Sequence, residues 1–128
     1  MNEVTVAVRG FGELEAAIMD RLWRRGEPTT VRELLNDLLE RRRLAYTTVL
    51  TVTDNLFKKG WLRREPAGRA HRYEPVMTRE EYSTGLMREA LDGSGDPAVT
   101  LMGFVGQMTP SEAAALRAAL AAHEDAQR

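Results

Sequence analysis

From Glu13 onward apolar residues recur at helical intervals. In GELEAAIMDRLWRRG, Leu14, Ala17, Ile18 and Leu22 share one face at i, i+3, i+4, i+8, and the run closes on two arginines and Gly26. That pattern predicts a first helix. A second, over residues 31–42, would bury Val31, Leu34, Leu35 and Leu38, with Thr30 and Glu33 forming a T-x-x-E capping box at its start. Its end, ERRR, suits the negative pole of the helix dipole.

The next segment, AYTTVLTVTDNLFKKG, sets propensity against periodicity. Threonines and valines crowd its first nine residues, and β-branched side chains favour strands. Read as a strand, Thr48, Leu50, Val52 and Asp54 would share a face, which mixes polar and apolar groups. At 100° per residue, Val49, Val52, Leu56 and Gly60 gather on one side with Thr53 beside them, and Thr47, Thr48, Thr51, Asn55 and Lys58 gather on the other. The separation predicts a helix of about 14 residues, because burial of a face overrides local propensity.

WLRREPAGRAHRYEPV then places two short runs around the turn signal PAG. This predicts a β-hairpin with Arg63, Arg64, Arg69 and Arg72 at and beside its tip. Thr78 and Glu81 form another capping box, opening a helix to residue 91 that carries Tyr82, Leu86, Met87, Ala90 and Leu91. After the break DGSGDP, Asp96 and Pro97 start a short helix with Leu101, Phe104 and Val105. Thr109, Pro110 and Glu112 start the last, to residue 124, with Leu116 and Leu120 at i, i+4.

Charge sharpens this picture once the chain is divided. Residues 1–76 hold 14 Lys/Arg against 11 Asp/Glu, whereas residues 77–128 hold 4 against 8. Residues 41–72 alone carry 9 basic and 2 acidic groups, the kind of local excess a polyanion senses. The exposed side of the third helix is a row of short hydroxyls and an amide rather than the long charged residues of an ordinary solvent face. Threonine can offer a donor, an acceptor and a methyl to base edges, and asparagine can bond adenine bidentately. Lys58 and Lys59 at its end, with Arg69, His71 and Arg72 on the hairpin, suit phosphates.

Helix, helix, short-polar helix and basic hairpin together make a winged helix-turn-helix. The expected architecture is mainly α: a DNA-binding domain over residues 1–76, with residues 1–11 as an N-terminal tail, and a helical dimerisation domain over residues 77–128. Tyr82, Leu86, Leu91, Leu101, Phe104, Leu116 and Leu120 exceed what a small helical layer hides by itself, so a homodimer is expected to cover them. The alternative is a monomer whose tail folds back.

The absence of cysteine excludes structural disulfides, thiol catalysis and thiolate zinc sites. Only His71 and His123 could add imidazole ligands, so no metal site and no cofactor is expected. No phosphate-binding loop, H-E-x-x-H or nucleophile elbow occurs, and catalysis is not expected. VTVAV near the start is brief and lacks a preceding basic region, and no run approaches the ~18 apolar residues of a membrane span. A cytoplasmic protein is expected.

ELEAAIMDRLW, AYTTVLTVTDNLFKKGWL, GRAHRYEPV and the tail SEAAALRAALA together resemble the BlaI/MecI family of bacterial repressors, over residues 12–122. The resemblance implies a homodimer that binds a palindromic double-stranded DNA operator through the winged helix. By position, Thr47, Thr48, Leu50, Thr51 and Asn55 fall where family members contact DNA. Leu50 and Asn55 stand where several members have arginine, and Asp54 adds an acid, which points to an operator unlike the family's TACA/TGTA type. In antibiotic-sensing members a membrane sensor protease cuts before a phenylalanine that follows asparagine; the corresponding residues here are Gly103 and Phe104. A winged-helix module that binds another protein is the alternative function, motivated by Asp54 and Asn55.

Overall fold

The computed structural model describes residues 11–40 and 42–128; VTVAV and most of the expected N-terminal tail lie outside them. The chain forms two compact units, the first ending at Leu86 and the second running from Met87 to Arg128.

The first unit is built from α1 (Glu13–Arg25), β1 (Thr29–Thr30), α2 (Val31–Leu38), α3 (Tyr46–Lys58), β2 (Leu62–Ala67), β3 (Ala70–Pro75) and the start of α4 (Arg79–Asp92). Its core takes Ile18, Met19 and Leu22 from α1, Val31, Leu34, Leu35 and Leu38 from α2, and Val49 and Leu56 from α3. Leu62 and Tyr73 close it from the sheet. α2 buries the face that its periodicity marked. α1 buries Ile18 and Leu22 of its marked face together with Ala16 and Met19, while Leu14 and Ala17 are half-buried. α3 buries Val49, Thr53 and Leu56, with Val52 half-buried. Packing rather than propensity holds such short helices.

The helix starts are fixed locally. Glu15 Oε1 accepts from the Gly12 N–H at 2.8 Å, while Gly26, at φ 68°, ends α1 in the left-handed conformation that favours glycine. The Thr30–Glu33 box is complete, with Glu33 Oε1 accepting from the Thr30 N–H at 2.9 Å and Thr30 Oγ1 accepting from the Glu33 N–H at 3.2 Å. Thr78–Glu81 and Thr109–Glu112 repeat the arrangement.

Two local expectations are corrected. α2 stops at Leu38 rather than residue 42, and has no basic residue in its last turn. The chain leaves the helix there, and Leu44 and Tyr46 pack against the core beyond it. Between the first two helices, where the sequence pattern predicts no strand, the chain forms one. Thr29 and Thr30 form β1, which pairs antiparallel with β3 (Thr29 opposite Tyr73, Thr30 opposite Arg72) and gives a three-stranded sheet in the order β1-β3-β2.

Thr53 is fully buried on the apolar side of α3, and its hydroxyl donates to the Val49 carbonyl at 2.7 Å. The hydroxyl is therefore satisfied within its own helix rather than left bare in the core.

Tyr82, expected in the dimer layer, is instead buried in the first unit. It stacks on Phe11 at 5.1 Å and meets Trp61 and Trp23 at 5.6 and 5.5 Å between ring centroids. Trp23 Nε1 donates to the Met77 carbonyl at 2.9 Å. An aromatic ring on the first turn of α4 gains more from this cluster than from any surface position, since edge and offset ring contacts add to area burial.

The second unit holds the rest of α4 with α5 (Pro97–Val105) and α6 (Pro110–Ala126). Asp96 caps α5, its carboxylate accepting from the Val99 N–H at 3.2 Å. α5 reads PAVTLMGFV and buries no residue, nor does α6. Among the described residues no helix is long and apolar enough to cross a membrane.

Candidate nucleic-acid interface

α3 presents Thr47, Thr48, Thr51, Asn55 and Lys58 on its open side, all exposed, while Val49, Thr53 and Leu56 face the core. Leu50 is 37% exposed and lines a groove of about 330 Å³ between α3, the start of α2 and the wing, with Arg32, Tyr46, Arg69 and His71 around it. Arg32 lies over the Tyr46 ring at 4.6 Å, a cation–π contact that sequence reading did not single out.

The wing is the hairpin β2–β3, closed by Gly68 and Arg69. Gly68 adopts φ 65°, so the left-handed residue of the turn is the one without a side chain, and Arg69 stands at the tip. Arg69 and Arg72 are exposed. Arg69 makes no ion pair among the described residues, and Arg72 acts electrostatically on Glu33. His71 is half-buried, its ring 6.2 Å from that of Tyr73.

Four other cations of α3 and the wing, Lys58, Lys59, Arg63 and Arg64, are tied down. Lys59 reaches away to α1, its ammonium 2.7 Å from Glu15 Oε2. Arg63 pairs across the hairpin with Glu74 at 2.9 Å. Asp54, read from sequence as an acid on the exposed face, is held from both sides: Lys58 Nζ lies 3.1 Å from Oδ2, and Arg64 Nη1 donates to Oδ1 at 3.0 Å. Arg64 also lies 4.0 Å above the Phe57 ring. The Lys58 hydrogen bond, outweighing a smaller burial effect, holds the Asp54 carboxyl below its ordinary range, with Arg64 assisting.

Three carboxylates outside this face share that behaviour. Burial opposes ionisation at Asp37, but the Arg25 and Arg21 guanidiniums at 2.7 and 2.9 Å prevail and lower its pKa. Burial is likewise overcome at Glu15 by the Gly12 N–H and Lys59, and the Thr30 backbone N–H leads the lowering at Glu33. Each folded value lies below the ordinary 3.8 for Asp or 4.5 for Glu, so each group stabilises the fold fully above those values. The contribution is lost as pH falls through the folded values. Urea midpoints should therefore hold steady from neutrality to about pH 5 and decline below about pH 4.5, and Asp37→Asn should flatten that decline. An unchanged acid slope in Asp37→Asn would remove the pair from this account.

The dimerisation candidates are dispersed. Leu86 and Tyr82 belong to the first unit. In the second, Leu91 and Leu116 are half-buried, whereas Leu101, Phe104 and Leu120 are exposed. Gly103 and Phe104 lie side by side in the last turns of α5, both exposed.

Comparison with known proteins decides the lineage. Residues 11–122 match the penicillinase repressor family. The chain belongs to that family. Within it, the transcriptional regulator BlaI of Mycobacterium tuberculosis is 48% identical over 114 residues, covering 87% of this chain and 83% of that protein, in both strains compared. Among solved structures, the transcriptional regulator Tm0710 from Thermotoga maritima shares the fold at a TM-score of 0.54 and 18% identity, covering 98% of this chain and 83% of that one. MepR, a transcription regulator of the Staphylococcus aureus multidrug efflux pump MepA, does so at 0.51 and 12% identity, over 98% and 90%. These likenesses show a mainly helical winged-helix fold, as the residue pattern predicted.

Proposed function

We propose that this penicillinase repressor family member is a homodimeric DNA-binding repressor that reads a palindromic operator through α3 and grips the backbone with its wing. The observation that carries the reading is the open face of α3, where Thr47, Thr48, Thr51 and Asn55 stand exposed within the same compact unit as a wing tipped by Arg69. Short polar side chains let the helix backbone come close to base edges, and the wing arginines add the salt-dependent, sequence-independent share of affinity. Lys59, paired with Glu15, contributes to the backbone share only by exchanging that partner for a phosphate.

Dimerisation is supported by α5. An uncharged helix that leaves Met102 77% and Phe104 48% exposed in the single chain needs a second surface to cover it. A twofold dimer would set two α3 helices to read half-sites one or more helical turns apart. The protein-binding alternative loses its motive at Asp54, whose charge is already satisfied by Lys58 and Arg64.

Footprinting on the DNA upstream of its own coding sequence, combined with a salt titration, tests the proposal. Two protected half-sites related by a dyad, with log affinity falling linearly against log salt, are expected. Salt-insensitive binding, or none at ~0.15 M salt, would sink it.

A further inference from the structure

Asp54 stands between the two surfaces assigned to DNA. On α3 it lies 60° around the helix from Thr51 and 40° from Lys58 at the ideal 100° per residue, which puts it on the flank that faces β2. Each carboxylate oxygen takes one cation: Oδ2 the Lys58 ammonium at 3.1 Å, Oδ1 the Arg64 guanidinium at 3.0 Å. The carboxylate thus bridges the end of the reading helix and the first strand of the wing. Both cations stay within reach of solvent, with side-chain exposures of 69% for Lys58 and 31% for Arg64. Either cation could turn to a phosphate, and each must leave Asp54 to do so.

Resting on the DNA-binding reading above, we infer that Asp54 is a specificity-determining residue, an internal counter-charge that competes with DNA phosphates for Lys58 and Arg64. Phosphate contacts add affinity for every sequence alike, whereas base contacts by the threonines distinguish one sequence from another. Occupying two cations from within lowers the first without touching the second. Discrimination between the operator and bulk DNA rises as a result. The arrangement also keeps Arg64 over the Phe57 ring, so the cation is released only where the backbone comes close enough to displace a carboxylate at hydrogen-bond distance.

The test compares the full-length protein with Asp54→Asn on the upstream DNA and on a scrambled duplex of equal length, over a salt series, with circular dichroism to verify folding. Asp54→Asn should raise affinity for the scrambled duplex on the order of tenfold at ~0.1 M salt and steepen its log–log salt slope by about 1 to 2, since each added phosphate contact contributes about 0.9. Affinity for the upstream site should rise less, so the ratio falls. When Lys58→Ala and Arg64→Ala are already present, the same change should no longer steepen the slope. An unchanged slope in folded Asp54→Asn overturns the inference and leaves the DNA-binding reading intact, as does a steepening that persists without the two cations. If the unsubstituted protein binds neither duplex, the DNA-binding reading falls first and the inference falls with it.

Discussion

Phe104→Glu is expected to split the protein into monomers while leaving the winged-helix unit folded. Phe104 lies in α5, outside the unit that contains α1 to β3, so a charge there removes none of the core contacts of Ile18, Leu34 or Leu56. It does place a carboxylate in the face proposed to meet a second copy, and an unpaired buried charge is not tolerated in an apolar interface. Sedimentation should show about half the mass. Operator affinity should fall by about 10² to 10⁴, because two half-sites would be bound independently rather than as one tethered event. A dimer that persists with full affinity would move the interface elsewhere.

Leu56→Ala is expected to produce a large loss of stability. Leu56 is fully buried at the point where α3 meets the shared core, and emptying such a position costs about 2 to 5 kcal/mol. That is a large share of the roughly 5 to 15 kcal/mol by which a domain is stable. Urea unfolding should show the loss. Base preference, measured on the fraction still folded, should stay the same, because Leu56 faces away from the threonine row. A change of base preference at unaltered stability would place Leu56 on the reading side and reverse the assignment of faces.

What could be read in advance follows from the range of the forces involved. Helix starts were legible because their signals sit within four residues: Thr30 with Glu33, Thr78 with Glu81, Thr109 with Glu112. The faces of α3 were legible because burial repeats at the helical period, even against β-branched propensity. β1 was not legible. Two threonines carry no period, and the strand exists only because β3, some 40 residues on, offers Tyr73 and Arg72 as partners. The placement of Tyr82 failed for the same reason, since Phe11, Trp23 and Trp61 are gathered from three distant segments.

The interface shows the same divide. The threonine row and the arginine at the wing tip could be named from local pattern, together with turn chemistry at Gly68. The pairing of cations could not. Lys59 looked like a neighbour of Lys58 in purpose, yet one binds Glu15 on α1 and the other Asp54 on its own helix. Asp54 read as an intruder on a DNA-facing surface only while Arg64, ten residues away on another element, was out of view.

The threonine side of α3 is proposed to read bases, and a paired measurement tests this most directly. Binding of Thr51→Ala and Arg69→Ala should be measured on the upstream site and on single-base variants of it. Thr51→Ala should lose on the order of 1 to 3 kcal/mol on the preferred site and blur the preference at one position in each half-site. Arg69→Ala should weaken every sequence evenly and lower the salt slope by about 1. If Thr51→Ala leaves the base preferences as they were, or weakens all sequences in step as Arg69→Ala does, the threonine face is not the reading face.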